Sequence, residues 1–122
     1  MGILKIRTKF YPIRILAYLK NEAELNIDIE NNGIDLYWVE IDVVLPNNSL
    51  SLAPDKELLK GRIRGGIVFS NDNRTVRCKI YGNPGTYPDT YRIKLIAYAF
   101  DKEGVIVSRE ETKTELRCER VK

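Results

Sequence analysis

The stretch that decides the fold runs from residue 24 to residue 45 and reads ELNIDIENNGIDLYWVEIDVVL. Its two ends alternate apolar and polar residues, with apolar side chains at Leu25, Ile27, Ile29, Tyr37, Val39, Ile41, Val43 and Leu45. Because successive side chains of a strand point to opposite faces, each end predicts a strand with one buried and one solvated face. The NNG segment at residues 31–33 tolerates positive φ values and predicts a turn between them.

The same alternation recurs further along the chain. Residues 76–80 and 91–99 each predict a strand with one apolar face. The DKEG segment at residues 101–104 predicts a hairpin with glycine in the left-handed position, and residues 105–116 predict the strand that returns from it.

The N-terminal stretch, residues 3–20, contains Pro12, which cannot donate to a ladder, and it predicts an edge strand that breaks and resumes. Only residues 55–60 could form a helical turn. About seven or eight strands without a convincing helix predict an all-β fold, an immunoglobulin-like antiparallel β-sandwich formed by residues 1–122 as a single domain.

Composition excludes several classes of protein. With 43% hydrophobic and 30% charged residues, the chain has the composition of a globular domain rather than a disordered one. No apolar run approaches the ~20 residues of a membrane-spanning helix, so we expect no membrane insertion. As written, the chain has no export signal and is expected in the cytoplasm. If it is a domain excised from a surface or envelope protein, the location would be extracellular or at the cell surface.

The chain lacks the residues that most catalytic sites require. It contains no histidine, which excludes an imidazole base and histidine-containing zinc sites. No phosphate-binding loop, acidic calcium loop or paired-carboxylate motif is visible. We therefore expect no enzyme activity, no metal, no cofactor and no small-molecule substrate.

The two cysteines, Cys78 and Cys118, are either buried small side chains or one disulfide. A disulfide would close a loop of about 40 residues, and it would persist in an oxidising compartment or inside a hyperthermophile cell. The absence of glutamine and histidine and the Lys/Glu/Arg-rich composition favour a thermophilic source, although nine asparagines do not.

Charge is distributed unevenly along the chain. Residues 1–20 contain five basic and no acidic residues, residues 21–59 are mainly acidic, and residues 60–94 are mainly basic. One interpretation is a basic face for nucleic acid, formed by Arg62, Arg64, Arg74, Arg77 and Lys79.

The interpretation we favour is internal pairing of these charges. In an immunoglobulin-like sandwich the second strand pairs with the fifth and the third with the sixth. Opposite charges would then meet across both pairs. On the first pair Glu24, Asp28 and Glu30 would lie beside Arg77 and Lys79, and on the second Glu40 and Asp42 beside Arg92 and Lys94.

Trp38, the sole tryptophan, has two alternative positions. If the alternation from residue 37 holds, it lies on the outward face and could form a contact surface with Ile96, Tyr98 and Phe100. If the register breaks near Asp35, it packs into the core, as a tryptophan on that strand does in many immunoglobulin domains. The second position is the one we favour from sequence.

Two segments carry a resemblance to a known family. Residues 27–45 combine alternating strands with the NNG turn, and residues 85–100 begin GTYPDTYRIKL and lead to the DKEG hairpin. This pattern resembles the CARDB and related immunoglobulin-like accessory domains of archaea and bacteria. The resemblance implies a non-catalytic module that spaces domains or binds protein or glycan, and it implies a structural corner role for Tyr91.

The sequence thus predicts a non-catalytic interaction or structural module. Its partner would be another protein, bound through the Trp38 face or through exposed strand edges, or a second copy of the chain paired edge to edge as a homodimer. The broken first strand and the final strand are the expected edges. Binding of nucleic acid is the alternative.

Overall fold

The computed structural model describes residues 2–121, and these form nine β-strands and no helix. In chain order the strands are β1 (Leu4–Tyr11), β2 (Arg14–Leu16), β3 (Asn21–Asn31), β4 (Tyr37–Val44), β5 (Leu50–Ser51), β6 (Lys60–Val68), β7 (Asn73–Gly82), β8 (Asp89–Phe100) and β9 (Ile106–Glu119). The predicted all-β class is confirmed. In this described part of the chain there is accordingly no helix long and apolar enough to cross a membrane.

The strands form two sheets that pack face to face. One sheet has the order β1-β3-β7-β5 and the other the order β2-β9-β8-β4-β6. All neighbouring strands are antiparallel except β2 and β9, which are parallel. The predicted pairings of second with fifth strand and third with sixth are confirmed as β3–β7 and β4–β8. The architecture is therefore the predicted immunoglobulin-like sandwich.

The first predicted strand breaks as expected and changes sheets. β1 ends at Tyr11 and lies beside β3 in the four-stranded sheet, whereas β2 begins at Arg14 and lies beside β9 in the five-stranded sheet. Pro12 falls between them, where no ladder hydrogen bond is required of its nitrogen. The first strand therefore joins the two sheets along one side of the sandwich.

The core lies between the inner faces of the sheets and contains the alternating residues that the sequence marked. The members below 2% exposure on the four central strands are Ala23, Leu25, Ile27, Ile29, Val39, Ile41, Val43, Ile80, Ile93, Leu95, Ala97 and Ala99. Each fully buried leucine, isoleucine or valine side chain in this set contributes roughly 1.5–3 kcal/mol through removal of apolar surface from water.

The turn after β3 forms, but not through positive φ values. Asn31 is fully buried, and its Nδ2 donates hydrogen bonds to the carbonyl oxygens of Asp35 (2.8 Å) and Val68 (2.9 Å). Its Oδ1 accepts one from the Gly33 backbone N–H at 2.8 Å. A buried side chain therefore satisfies the backbone of this turn. The predicted glycine position in the hairpin is confirmed, since Gly104 has φ +79°.

The predicted helical turn at residues 55–60 is wrong. The hydroxyl of Ser51 takes the place of helical hydrogen bonds in this loop. It accepts from the N–H groups of Ala53 and Leu58 and donates to the Lys56 carbonyl oxygen. With these groups satisfied, the chain stays irregular until β6 begins at Lys60.

Tyr91 occupies the corner that the resemblance implied. Its ring is buried at the start of β8, and its hydroxyl donates a hydrogen bond of 2.7 Å to the Tyr87 carbonyl oxygen four residues upstream. The bond ties the preceding loop to the sheet. The role is structural, as expected.

Of the two alternatives for Cys78 and Cys118, the structure has the free thiols and not the disulfide. They lie in different sheets: Cys78 is opposite Leu25 on β3, and Cys118 is opposite Ile15 on β2. Burial raises the pKa of both thiols, that of Cys78 to about 11. They are small apolar side chains rather than a cross-link.

Candidate interaction surface

Four apolar side chains of the five-stranded sheet form one line across its outer face, the face turned away from the other sheet. In register, Ile67 of β6 is opposite Trp38 of β4, Trp38 is opposite Phe100 of β8, and Phe100 is opposite Ile106 of β9. We call these four residues the apolar row. Trp38, Ile67 and Ile106 are 39%, 43% and 52% exposed, and Phe100 is half-buried.

A β-bulge brings Ile67 into the row. Glu40 is opposite Arg64, but Val39, the residue before Glu40 on β4, is opposite Gly66, so Gly65 is an extra residue on β6. One extra residue reverses the faces of all later side chains. Ile67 therefore points outward beside Trp38, and Val68 points into the core. Gly66 has φ +77°, which only glycine adopts without strain.

A second bulge, on β9, positions Ile106. Ala99 is opposite Ser108 and Phe100 is opposite Ile106, which leaves Val107 as the extra residue. Ile67 and Ile106, the two ends of the apolar row, therefore both lie next to a β-bulge that interrupts the alternation of inward and outward side chains.

A chain of polar contacts holds the indole of Trp38 in place. Its Nε1 donates a 2.8 Å hydrogen bond to Oε2 of Glu40, whose other oxygen accepts from Arg62 Nη1 at 3.3 Å. Arg62 Nε and Nη2 bind both carboxylate oxygens of Asp42, at 2.7 and 3.0 Å. The guanidinium also lies 5.0 Å from the ring centroid of Tyr98. Contacts with neighbouring side chains therefore orient Trp38 and Tyr98.

Asp42 is the buried charge of this network, with 3% of its surface exposed. Its hydrogen bonds from Arg62 lower the pKa of the carboxyl below its ordinary value, and this effect exceeds the opposing effect of burial. The same contact raises the pKa of Arg62. Both groups are charged at neutral pH, and the positive charge of Arg62 is compensated within the chain.

The structure brings together most of the surface predicted from sequence. Trp38 is opposite Phe100, and the Phe100 and Tyr98 rings are 6.4 Å apart. The placement of Trp38 in the core is wrong, because the register holds through residue 38 and the ring lies on the outer face. Ile96 also points outward, opposite Asp42, but only 7% of it is exposed, so it adds little surface.

Sequence reasoning missed Ile67 and Ile106. Their strands break the period of two, and a simple alternation would have assigned them to the wrong face. The adjacent glycines 65 and 66 were the available signal, since paired glycines inside a strand often mark a bulge.

Internal pairing of charges on the first strand pair is confirmed for Glu24 and is wrong for Asp28 and Glu30, which the register places opposite Thr75 and Asn73. Lys79 is opposite Glu24 in register; its Nζ lies 3.0 Å from Glu22, and Arg77 Nε lies 3.9 Å from Glu24.

The second predicted charge pairing is wrong. Glu40 and Asp42 bind Arg62 of β6, and Arg92 binds Glu115 of β9 at 3.2 Å. The reason is register: Val44, the last residue of β4, is opposite Lys94, so Arg92 lies beyond the end of that strand.

The five residues of the predicted basic face do not share a face. Arg62 and Arg64 point outward from the five-stranded sheet, whereas Arg77 and Lys79 belong to the four-stranded sheet, whose outer face points the opposite way. Arg74 donates to the Ile67 carbonyl oxygen at 3.1 Å. Three of the five are also ion-paired, as described above.

Comparison with known proteins supports the fold. A FixG-related protein from Vibrio parahaemolyticus has a TM-score of 0.59 and 13% identity, covering 97% of this chain and 98% of its own. The CARDB domain of a Pyrococcus furiosus protein, in complex with di-metal ions, has a TM-score of 0.57 and 12% identity, covering 97% and 87%. This chain has a CARDB-like, immunoglobulin-like fold. The resemblance inferred from sequence is confirmed at that level.

A third structural neighbour comes from a protein complex. It is a chain of the complex between zinc 2-glycoprotein and prolactin inducible protein from human seminal plasma, with a TM-score of 0.62 and 11% identity, covering 95% of this chain and 93% of its own. No protein family profile matches the chain, and no curated protein matches it in sequence.

Proposed function

We propose that this chain is a non-catalytic protein-binding module whose contact surface is the apolar row together with Tyr98. The observation that carries the proposal is the row itself: four apolar side chains, contributed by four adjacent strands, lie side by side on a solvent-facing sheet. Contiguous exposed apolar surface of this kind, bordered by polar residues, is typical of protein contact sites.

The chemistry of the surface fits a protein partner. Tryptophan and tyrosine are enriched among the residues that dominate binding energy. The hydrogen bond from Trp38 to Glu40 and the stacking of Arg62 on Tyr98 hold these side chains in place, which reduces the entropy lost on binding. Structural neighbours of this fold include a chain from a protein–protein complex, which is consistent with such a role.

Nucleic-acid binding has less support. Phosphate contacts need uncompensated cations along one surface. Arg62, Arg77 and Lys79 are ion-paired, and the five predicted residues divide between opposite faces.

The sole tryptophan allows a direct test. Incorporation of 5-fluorotryptophan places one 19F nucleus at Trp38. We expect this single resonance to shift or broaden in a concentrated extract of the cell of origin, beyond the effect of serum albumin at equal mass concentration. Identical spectra in the two solutions would contradict the proposal.

A matched pair of variants assigns the effect to the row. Ile67→Ser removes an apolar member, and Ile13→Ser makes the same change at a 72% exposed site between β1 and β2. The response in extract should decrease for Ile67→Ser and stay at the wild-type level for Ile13→Ser. Equal responses from the two variants would mean that the partner does not contact the apolar row.

A further inference from the structure

The last strand has a long free edge. β2 pairs with β9 only at Arg117, Cys118 and Glu119. Residues 106–116 pair with β8 on one side and, within residues 2–121, their backbone pairs with no strand on the other. β1 of the other sheet contacts this segment through a side chain, with the Thr8 hydroxyl donating to that of Thr114 at 2.9 Å. The backbone N–H and C=O groups on that side are open to pair with another strand.

The charges along this edge alternate in sign. Arg109, Glu111, Lys113 and Glu115 are all exposed and share the outer face of β9. When two copies of a strand pair antiparallel about a two-fold axis, residues equally far from the axis lie opposite each other. With the axis at Thr112, Glu111 of each copy is opposite Lys113 of the other, and Arg109 is opposite Glu115.

The alternation also excludes the neighbouring registers. An axis at Glu111 or at Lys113 would bring like charges together, Arg109 against Lys113 or Glu111 against Glu115. Opposite charges directly across an antiparallel pair stabilise it and like charges destabilise it. The edge is therefore self-complementary, and among the registers that pair only free residues, the one centred on Thr112 brings the most opposite charges together.

The other long edges in the described chain oppose self-pairing. The charged side chains on the outer face of β1 are all basic. The same is true of β7 outside the two residues that pair with β5. The residues concerned are Lys5, Arg7 and Lys9 on β1, and Arg77 and Lys79 on β7. β6 carries Lys60, Arg62 and Arg64 and is bent by the bulge at Gly65. Like charges and bulges are common means of blocking contact between edges.

We propose that two copies of this chain associate through antiparallel pairing of their β9 strands, centred on Thr112, which joins two five-stranded sheets into one. This inference deepens the strand-edge self-association predicted from sequence. Pairing centred on Thr112 uses residues 108–116, which adjoin the apolar row at Ile106 but include none of its members. The contacts of Arg109 with Glu111 and of Arg92 with Glu115 involve exposed side chains and contribute little, so these groups are free to exchange partners.

Sedimentation equilibrium over micromolar to millimolar protein concentrations, under reducing conditions, tests the inference. We expect the wild type to dimerise reversibly and more weakly as salt is added. Glu111→Lys places lysine opposite lysine twice in the dimer and should weaken association by about tenfold or more. The double variant Glu111→Lys/Lys113→Glu has the net charge of the wild type and again places opposite charges across the axis. It should restore the wild-type dimerisation constant.

Three outcomes would overturn the inference: a wild type that stays monomeric, a dimer unaffected by Glu111→Lys, or a double variant as weak as the single one. Circular dichroism of each variant establishes that it is folded. A monomeric wild type would not contradict the proposal that the apolar row binds a protein, because the fluorotryptophan experiment tests that proposal independently. If Ile67→Ser abolished dimerisation and Glu111→Lys did not, the contact between copies would lie at the apolar row. That result would also overturn the assignment to β9.

Discussion

At the scale of single residues, Asp42 connects the stability of the sheet to the shape of its outer face. The carboxylate is almost completely buried, and two hydrogen bonds from Arg62 keep it ionised. The same guanidinium binds Glu40, which orients Trp38. Loss of the charge at position 42 should therefore affect both folding and the position of the indole.

The lowered pKa of Asp42 predicts a defined pH dependence. A carboxyl whose pKa is lower in the folded state stabilises it above the unfolded pKa of about 3.9, and this contribution disappears as pH falls through the folded pKa. We expect Asp42→Asn to be less stable than the wild type at neutral pH, with the difference shrinking below about pH 4. Urea unfolding at a series of pH values measures this difference in unfolding free energy. Asp55→Asn, at an exposed site, is the control, and a pH-independent difference for Asp42→Asn would contradict the account.

At the scale of elements, regular alternation was sufficient to predict the central strands from sequence. Residues such as Ile27, Ile41 and Ile93 are buried where the period of two places them. The bulged strands could not be predicted in the same way, because Gly65 and Val107 each reverse the faces of their neighbours. The apolar row was therefore only half predicted: Trp38 and Phe100 were marked, and Ile67 and Ile106 were not.

The partners of charged residues show a similar division. The β3–β7 pairs followed from fold topology, because both strands were recognised in the sequence. The partner of Asp42 could not be found, because Arg62 lies on β6, whose pairing with β4 the sequence did not indicate. The side-chain bonds of Asn31 and Ser51 were missed since they depend on residues brought together by the fold.

The bulge at Gly65 and Gly66 gives an element-scale prediction. Gly66→Ala and Gly104→Ala each place a side chain at a left-handed φ, and each should lower the free energy of unfolding by about 1–2 kcal/mol. Only Gly66→Ala should also change the acrylamide quenching of Trp38, because that bulge positions the neighbouring Ile67. Unchanged quenching in Gly66→Ala would show that the bulge does not shape the apolar row. Thermal unfolding measures the change in stability, and tryptophan fluorescence measures the quenching.

At the scale of the whole molecule, the charge pairs, the apolar row and the free strand edge lie on different parts of the sandwich. The outer face of the four-stranded sheet pairs its charges across β3 and β7, while the outer face of the five-stranded sheet carries the apolar row at one end. The free edge of β9 lies at the side, and in the register centred on Thr112 it leaves the face of each sheet accessible. One chain could therefore bind a partner through its face and a second copy through its edge.

Site-specific photo-cross-linking in the cell of origin tests the central claim most directly. Benzoylphenylalanine is placed at Ile67 in the apolar row or, as a control, at the exposed Ile13. The account predicts a discrete cross-linked protein from position 67 that is absent from position 13. No cross-link from position 67, or the same products from both positions, would contradict the assignment of the apolar row as the binding surface.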